Sequence, residues 1–127
     1  MAAPFILITT HRVQDGQLDA LEQLGQAFVA SIEASEPDAL GYQLYLNDEG
    51  TELTHVLIQR DSAAMDRHFQ VSGELIGKSL ELAETTAIYA LGEPGPVLRQ
   101  VLTRNAEAGI PVSIRPRRMG GLDRLAA

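Results

Sequence analysis

Residues 40–60 read Leu40-Gly41-Tyr42-Gln43-Leu44-Tyr45-Leu46-Asn47-Asp48-Glu49-Gly50-Thr51-Glu52-Leu53-Thr54-His55-Val56-Leu57-Ile58-Gln59-Arg60, two alternating stretches around a polar turn. Leu40, Tyr42, Leu44 and Leu46 fall on one side of the first stretch, with Gly41, Gln43 and Tyr45 on the other. In the second, Leu53, His55 and Leu57 alternate with Thr54, Val56 and Ile58. A period of two belongs to strands, and Asn47-Asp48-Glu49-Gly50 is hairpin-loop chemistry. The stretch is therefore an antiparallel hairpin.

On its N-terminal side, Phe5–Val13 alternates with apolar residues on both faces, Phe5 and Leu7 against Ile6 and Ile8. Such a strand is covered on both sides. Asp15-Gly16 turns the chain into Leu18–Ile32, where Leu18, Leu21, Leu24, Phe28 and Ile32 recur at three and four, one stripe of a helix that Pro37 follows. On the C-terminal side, Asp61 or Ser62 caps a second helical stretch, Ala63–Ala83, with Met65, Phe69, Leu75, Ile76 and Leu80 on its inner face. Gly73 and Gly77 each weaken it by about 1 kcal/mol relative to alanine and invite a bend. Thr85–Leu91 is a last strand. The order β-α-β-β-α-β with short connections is the split βαβ unit, an α+β, ferredoxin-like fold with an antiparallel sheet.

Gly92-Glu93-Pro94-Gly95-Pro96 breaks the chain, and Pro96 suits the first turn of a third helix carrying Val97, Leu98, Val101 and Leu102 before Gly109 ends it. Pro111–Arg115 reads as a short edge strand, and the last six residues as loose. Residues 1–95 thus form the domain. Residues 96–127 form an extension packed on it or on a dimer partner, because they hold too many apolar side chains for a solvated tail. A four-stranded sheet with two apolar faces and only two helices leaves one face bare, so a homodimer is expected.

The chain's 127 residues, 45% of them apolar, suffice for one core. The absence of cysteine excludes disulfides, thiolate catalysis and cysteine-type zinc sites. The N-terminus lacks a basic segment and a long apolar run, so neither a signal peptide nor a membrane span is expected, and the location is read as cytoplasmic. Residues 1–95 hold fifteen Asp/Glu against four Lys/Arg, whereas residues 96–127 hold two against six. An acidic body is a poor surface for nucleic acid. The basic run at Arg115, Arg117 and Arg118 is read as lying on that body or on a partner subunit's.

Three segments carry a family likeness: Thr10-His11-Arg12-Val13-Gln14-Asp15-Gly16-Gln17 with its helix, Gly41-Tyr42-Gln43-Leu44-Tyr45, and Asp61-Ser62-Ala63-Ala64-Met65-Asp66-Arg67-His68-Phe69. Together, over about residues 5–92, they resemble the antibiotic biosynthesis monooxygenase family of dimeric α+β barrels. The resemblance implies a homodimer, each subunit holding a pocket between sheet and helices. It also implies a monooxygenase that uses O₂ on a phenol or quinol-like aromatic molecule, with no cofactor and no metal. The deprotonated substrate supplies the electrons, so the protein must provide a base, a hydrogen-bond donor and a dry cavity. The chain departs from many members in having no tryptophan near Gln59, and Ser72-Gly73 where a second histidine is common. Those departures favour the alternative, a non-catalytic dimeric barrel that binds a small apolar ligand or a protein. Haem degradation does not fit, since the first strand has no asparagine and His68 and Lys78 stand near the positions where that branch uses tryptophan and histidine.

His68 is the candidate base, sharing a helix side with Met65, Ser72 and Leu75. Its competing reading is a boundary histidine bonded to backbone or to Asp66. Met65 and Phe69 would line the pocket and Ser72 would be a polar neighbour. His55 points into a pocket or packs in the dimer interface, with the interface preferred. Tyr42 or Tyr45 could donate to an oxyanion or simply pack. Arg60 could neutralise a phenolate or pair with Asp61, while His11 and Arg12 are read as facing solvent.

Overall fold

In the computed structural model, which describes residues 3–124, strand β1 (Phe5–Val13) leads into helix α1 (Leu18–Ser35) and the hairpin β2 (Ala39–Leu46) and β3 (Glu52–Gln59). Helices α2 (Ser62–Val71) and α3 (Gly73–Leu82), strand β4 (Ala83–Leu91), helix α4 (Pro96–Glu107) and strand β5 (Val112–Arg115) follow. The sheet order is β2-β3-β1-β4-β5. The first four strands pair antiparallel, as in a split βαβ fold. The fifth, the short edge strand expected after the third helix, makes the sheet mixed: β5 runs parallel to β4. A chain that crosses over through a helix returns in its original direction, and α4 is that crossover.

The sheet's inner face carries Phe5, Leu7, Leu57, Ile88 and Ala90, which form one core with Met65 of α2 and Leu98 and Leu102 of α4. A second cluster, Val13, Leu21, Leu53 and Ala83, lies under the start of α1. The outer face carries Ile6, Ile8, Val56 and Ile58, with Ile6 opposite Ile58 and Ile8 opposite Val56. These residues are only half-buried.

The single long helix expected over Ala63–Ala83 is two helices, interrupted at Ser72 directly before Gly73, one of the two glycines at which a bend was expected. Asp61, not Ser62, caps the first, its Oδ1 accepting from the Ala64 N–H at 2.8 Å. After the break α3 buries no residue fully. Leu75 and Ile76 are half-buried and Leu80 is 51% exposed. Its apolar side looks onto a cavity instead of a packed core, which is why the expected inner face fails at Leu80. Across the fold Asp66 of α2 accepts from the Leu98 N–H at 2.9 Å and the Val97 N–H at 3.4 Å, so it caps α4 from outside. A Cβ at Gly95 would collide with that carboxylate.

The expected extension over residues 96–127 packs α4 on α2 and adds β5 to the sheet edge of its own subunit. The expectation of a loose end reaches residues 125–127, which lie outside the described residues, as do residues 1 and 2.

Candidate active site

Strand alternation carries Thr9, His11 and Val13 to the same side as Phe5 and Leu7, the side that the helices cover. His11, expected in solvent, is therefore buried, at 9% exposure. Its Nε2 lies 3.1 Å from Thr9 Oγ1 and its Nδ1 3.2 Å from Thr85 Oγ1. His55 projects from β3 to the same side, its ring centroid 4.9 Å from that of His11. Of the two places expected for His55, a pocket or a dimer interface, its side chain lines the cavity described below. Tyr42 meets it edge-on, ring centroids 5.8 Å apart, with the hydroxyl 3.4 Å from His55 Nδ1. Tyr45 faces the other way and is 65% exposed.

These rings floor a cavity of about 490 Å³ between the sheet and the helices. Leu7, Leu57 and Ile88 come from the sheet, Phe28 from α1, His68 and Phe69 from α2, Ile76 and Leu80 from α3, and Val97, Leu98, Val101 and Leu102 from α4. A second lobe of about 240 Å³ runs between α1 and the β2–β3 hairpin and shares Phe28, Tyr42, His55 and Ser79 with the first.

At the cavity wall His68 is 5% exposed and meets Phe69 edge-on at 5.2 Å between centroids. Its partner is not Asp66 but Glu36, the residue that ends α1: the Nδ1–H donates to a carboxylate whose two oxygens both lie 3.0 Å away. Glu36 also accepts from Gln59 Nε2 and Ser72 Oγ, each at 2.9 Å. Four buried polar side chains from α1, β3, α2 and the α2–α3 junction thus close one network. Within it Gln59 Oε1 is the buried side-chain oxygen left unpaired among the described residues. With Nδ1 held, the free nitrogen of His68 is Nε2, which has no hydrogen-bond partner among the described residues.

The electrostatics separate the histidines. Burial lowers His11 to about 4. Burial, then the neighbouring charges of His11 and His68, lowers His55 to about 3. Both are therefore neutral near pH 7. Burial alone would raise Glu36, but the hydrogen bond and charge of His68, with the bonds from Ser72 and Gln59, bring it below the ordinary carboxylate value. Burial, and next the Glu36 charge, raises Tyr42, so its phenol keeps its proton. The cavity thus offers a carboxylate-anchored imidazole on one wall and neutral imidazoles with a phenol on its floor.

Tyr42, His55, His68 and Phe69 are brought together on this cavity. Met65 is not among its lining; it is fully buried in the core. Ser72 stands behind His68 on Glu36. Arg60 sits outside, its Nε 3.1 Å from Asp38, a carboxylate it shares with Arg67. It does not take Asp61, whose oxygen is used as the α2 cap. Glu36 and Thr85 went unread in the sequence, whereas His11 was placed in solvent and the third helix was read as packing on the body without its residues being assigned to the cavity. The available signal for Glu36 was a carboxylate closing an amphipathic helix directly before proline. Among the described residues no group of three or more His, Cys, Asp or Glu is placed to hold a metal ion, and no helix is long and apolar enough to cross a membrane.

The fold recurs in solved structures. MupZ from Pseudomonas fluorescens superposes with a TM-score of 0.75 at 16% identity, over 95% of this chain and 95% of that one. PA3566 from Pseudomonas aeruginosa gives 0.61 at 27% identity, over 75% of this chain and 98% of the other. SnoaB, a cofactor-independent oxygenase from Streptomyces nogalater, gives 0.63 at 13% identity, over 76% and 98%. No curated protein matches the sequence. The sequence profile of antibiotic biosynthesis monooxygenases matches residues 4–72, more than half of the chain and the part that supplies both Glu36 and His68. The chain belongs to the antibiotic biosynthesis monooxygenase family.

Proposed function

We propose that this protein is a homodimeric monooxygenase that needs no cofactor and acts on an aromatic phenol or quinol-like molecule held in the His68 cavity. The observation that carries the reading is the Glu36–His68 pair: an imidazole oriented through Nδ1, its Nε2 free on an apolar cavity. Such a group accepts a proton from a bound hydroxyl, and the carboxylate behind it stabilises the imidazolium that forms. Neutral His55 and protonated Tyr42 are the hydrogen-bond donors available to the resulting phenolate.

The phenolate is the reductant. It passes electrons to O₂, a carbon–oxygen bond forms at an activated ring carbon, and the hydroperoxide loses water as that carbon becomes a carbonyl. Phenol plus O₂ gives quinone plus water, with one oxygen atom in each product. The dry wall of leucines, valines and phenylalanines keeps solvent from reprotonating the carbanionic carbon. Family membership and the likeness to a cofactor-independent oxygenase support the same reading.

The outer face of the sheet supports the dimer: Ile6, Ile8, Val56 and Ile58 form an apolar surface that no helix packs over among the described residues. O₂ uptake by metal-stripped protein with a panel of phenols and naphthols tests the activity. One O₂ consumed per quinone formed is expected. Tight binding of these compounds without O₂ uptake would mean a ligand-binding barrel instead.

A further inference from the structure

Six lysines and arginines precede residue 110, and five of them are paired with a carboxylate: Arg12 with Glu84, Arg60 and Arg67 with Asp38, Lys78 with Glu74, and Arg99 with Glu93. Arg104 is the exception. Its guanidinium has no hydrogen-bond or ion-pair partner among the described residues, and it is the only Lys, Arg, Asp or Glu among the described residues that line the 490 Å³ cavity. Asn105 lines the cavity beside it and spends one amide hydrogen on Val101 O at 2.8 Å, which leaves the other free. Both stand on α4, outside the part of the chain that the family profile matches. Position in the last helical turn already suits an arginine, since the positive charge opposes the helix dipole. Water solvates the exposed guanidinium, and what its position adds is a cation at the rim of an apolar cavity, beside a spare amide hydrogen.

We infer that Arg104 and Asn105 form a carboxylate-recognition site, and that the ligand of this cavity is an amphiphilic monocarboxylic acid whose apolar body lies among Leu98, Val101, Ile76 and Leu80. The inference rests on the reading of this cavity as the substrate site. A planar guanidinium offers two parallel N–H groups to a carboxylate, and the second amide hydrogen of Asn105 adds a third. One cation and one amide suit a single negative charge. A phosphate or diphosphate carries more charge than this wall could neutralise. The net charge of −7 repels anions at long range, so an acid reaching the cavity needs a local cation such as this one.

Naphthylacetic and naphthylbutyric acids and their methyl esters are suitable probes. None carries a phenol, so their binding reads the carboxylate site and is independent of any oxygen chemistry. Calorimetry or naphthalene fluorescence on the full chain should show at least one of the acids binding about tenfold or more tightly than its ester, an advantage that shrinks as salt is raised. In Arg104→Gln the advantage should vanish while the esters bind as before, and Arg104→Lys should restore part of it. Melting of the Arg104→Gln protein serves as the folding control and should be unchanged, because this side chain is exposed. Equal binding of acids and esters by the wild type, no binding of either acid at millimolar concentration, or an acid preference that survives Arg104→Gln would each overturn the inference. Failure of O₂ uptake with phenols, by contrast, bears only on the oxygenase reading.

Discussion

Glu36 is the residue on which the most depends. Its two oxygens take three side-chain donors, from His68, Ser72 and Gln59, in a buried site. Glu36→Gln keeps the shape but removes the charge that faces the imidazole. We expect kcat on a phenolic substrate to fall about 100-fold and stability to drop by about 3 kcal/mol in urea titration. Unchanged activity in a folded Glu36→Gln protein would show that His68 needs no orienting carboxylate. His11 and His55 make a separate prediction about pH. Their folded values, about 4 and about 3, lie below the 6.5 of an ordinary histidine. Between roughly pH 4 and 6.5 the unfolded chain therefore binds protons that the folded chain refuses, so stability falls as pH falls, by up to about 1.4 kcal/mol per pH unit for each histidine. Glu36, lowered in the folded state, acts in the same direction at more acid pH, through the carboxylate range. Urea unfolding at pH 7.5, 6 and 5 should show this slope, and His55→Gln should reduce it. A flat profile would mean that the imidazoles are hydrated.

At the scale of the element, the junctions matter more than the helices they join. The backbone at Ser72 has φ −98° and ψ 10°, so α2 ends there and α3 starts on a new axis. The serine hydroxyl goes to Glu36, which fixes the turn to the end of α1. Asp66 fixes the other junction by capping the start of α4. Asp66→Ala removes both of these bonds from otherwise orphaned N–H groups. It should cost about 1–2 kcal/mol in thermal or urea unfolding, the range of a lost helix cap. Because α4 is a cavity wall, the same variant should also loosen binding of an apolar ligand. If binding and melting both stay as in the wild type, α4 is held by its leucines alone.

For the whole molecule, the outer sheet face sets the expectation. Two copies that join Ile6, Ile8, Val56 and Ile58 to the same surface of a partner should bury about 800 Å² or more per subunit, mostly apolar. Light scattering at micromolar concentration should then give twice the 13.7 kDa of one chain. A stable 13.7 kDa species would remove the dimer from the proposal. Ile8→Arg, which places a charge on that face, should shift the equilibrium toward monomer, with α1 and the cavity's inner lining left in place.

What was determined by the sequence alone was the set of elements and their faces. Alternation with period two in residues 5–13 and 40–60, and apolar spacing of three and four in residues 18–32, are local properties of the chain, and steric preference turns them into strands and helix without reference to distant residues. Even the edge strand at Pro111–Arg115 was legible, because proline restricts where a strand can sit. The site was only half legible by comparison. Tyr42, His55, His68 and Phe69 could be named because each has a side-chain type and a face that suit a pocket. Glu36 could not, since its meaning lies in Ser72 and Gln59, 36 and 23 residues away, meeting it in a buried space. Nor could the solvent reading of His11 be corrected before the helices were seen to cover its face. Arg60 finding Asp38 instead of its neighbour Asp61 has the same cause: a backbone N–H in the first turn of α2 takes the nearer carboxylate. Local periodicity is written residue by residue, whereas partners for buried polar groups are chosen only when packing removes water and leaves each donor to find an acceptor across the fold.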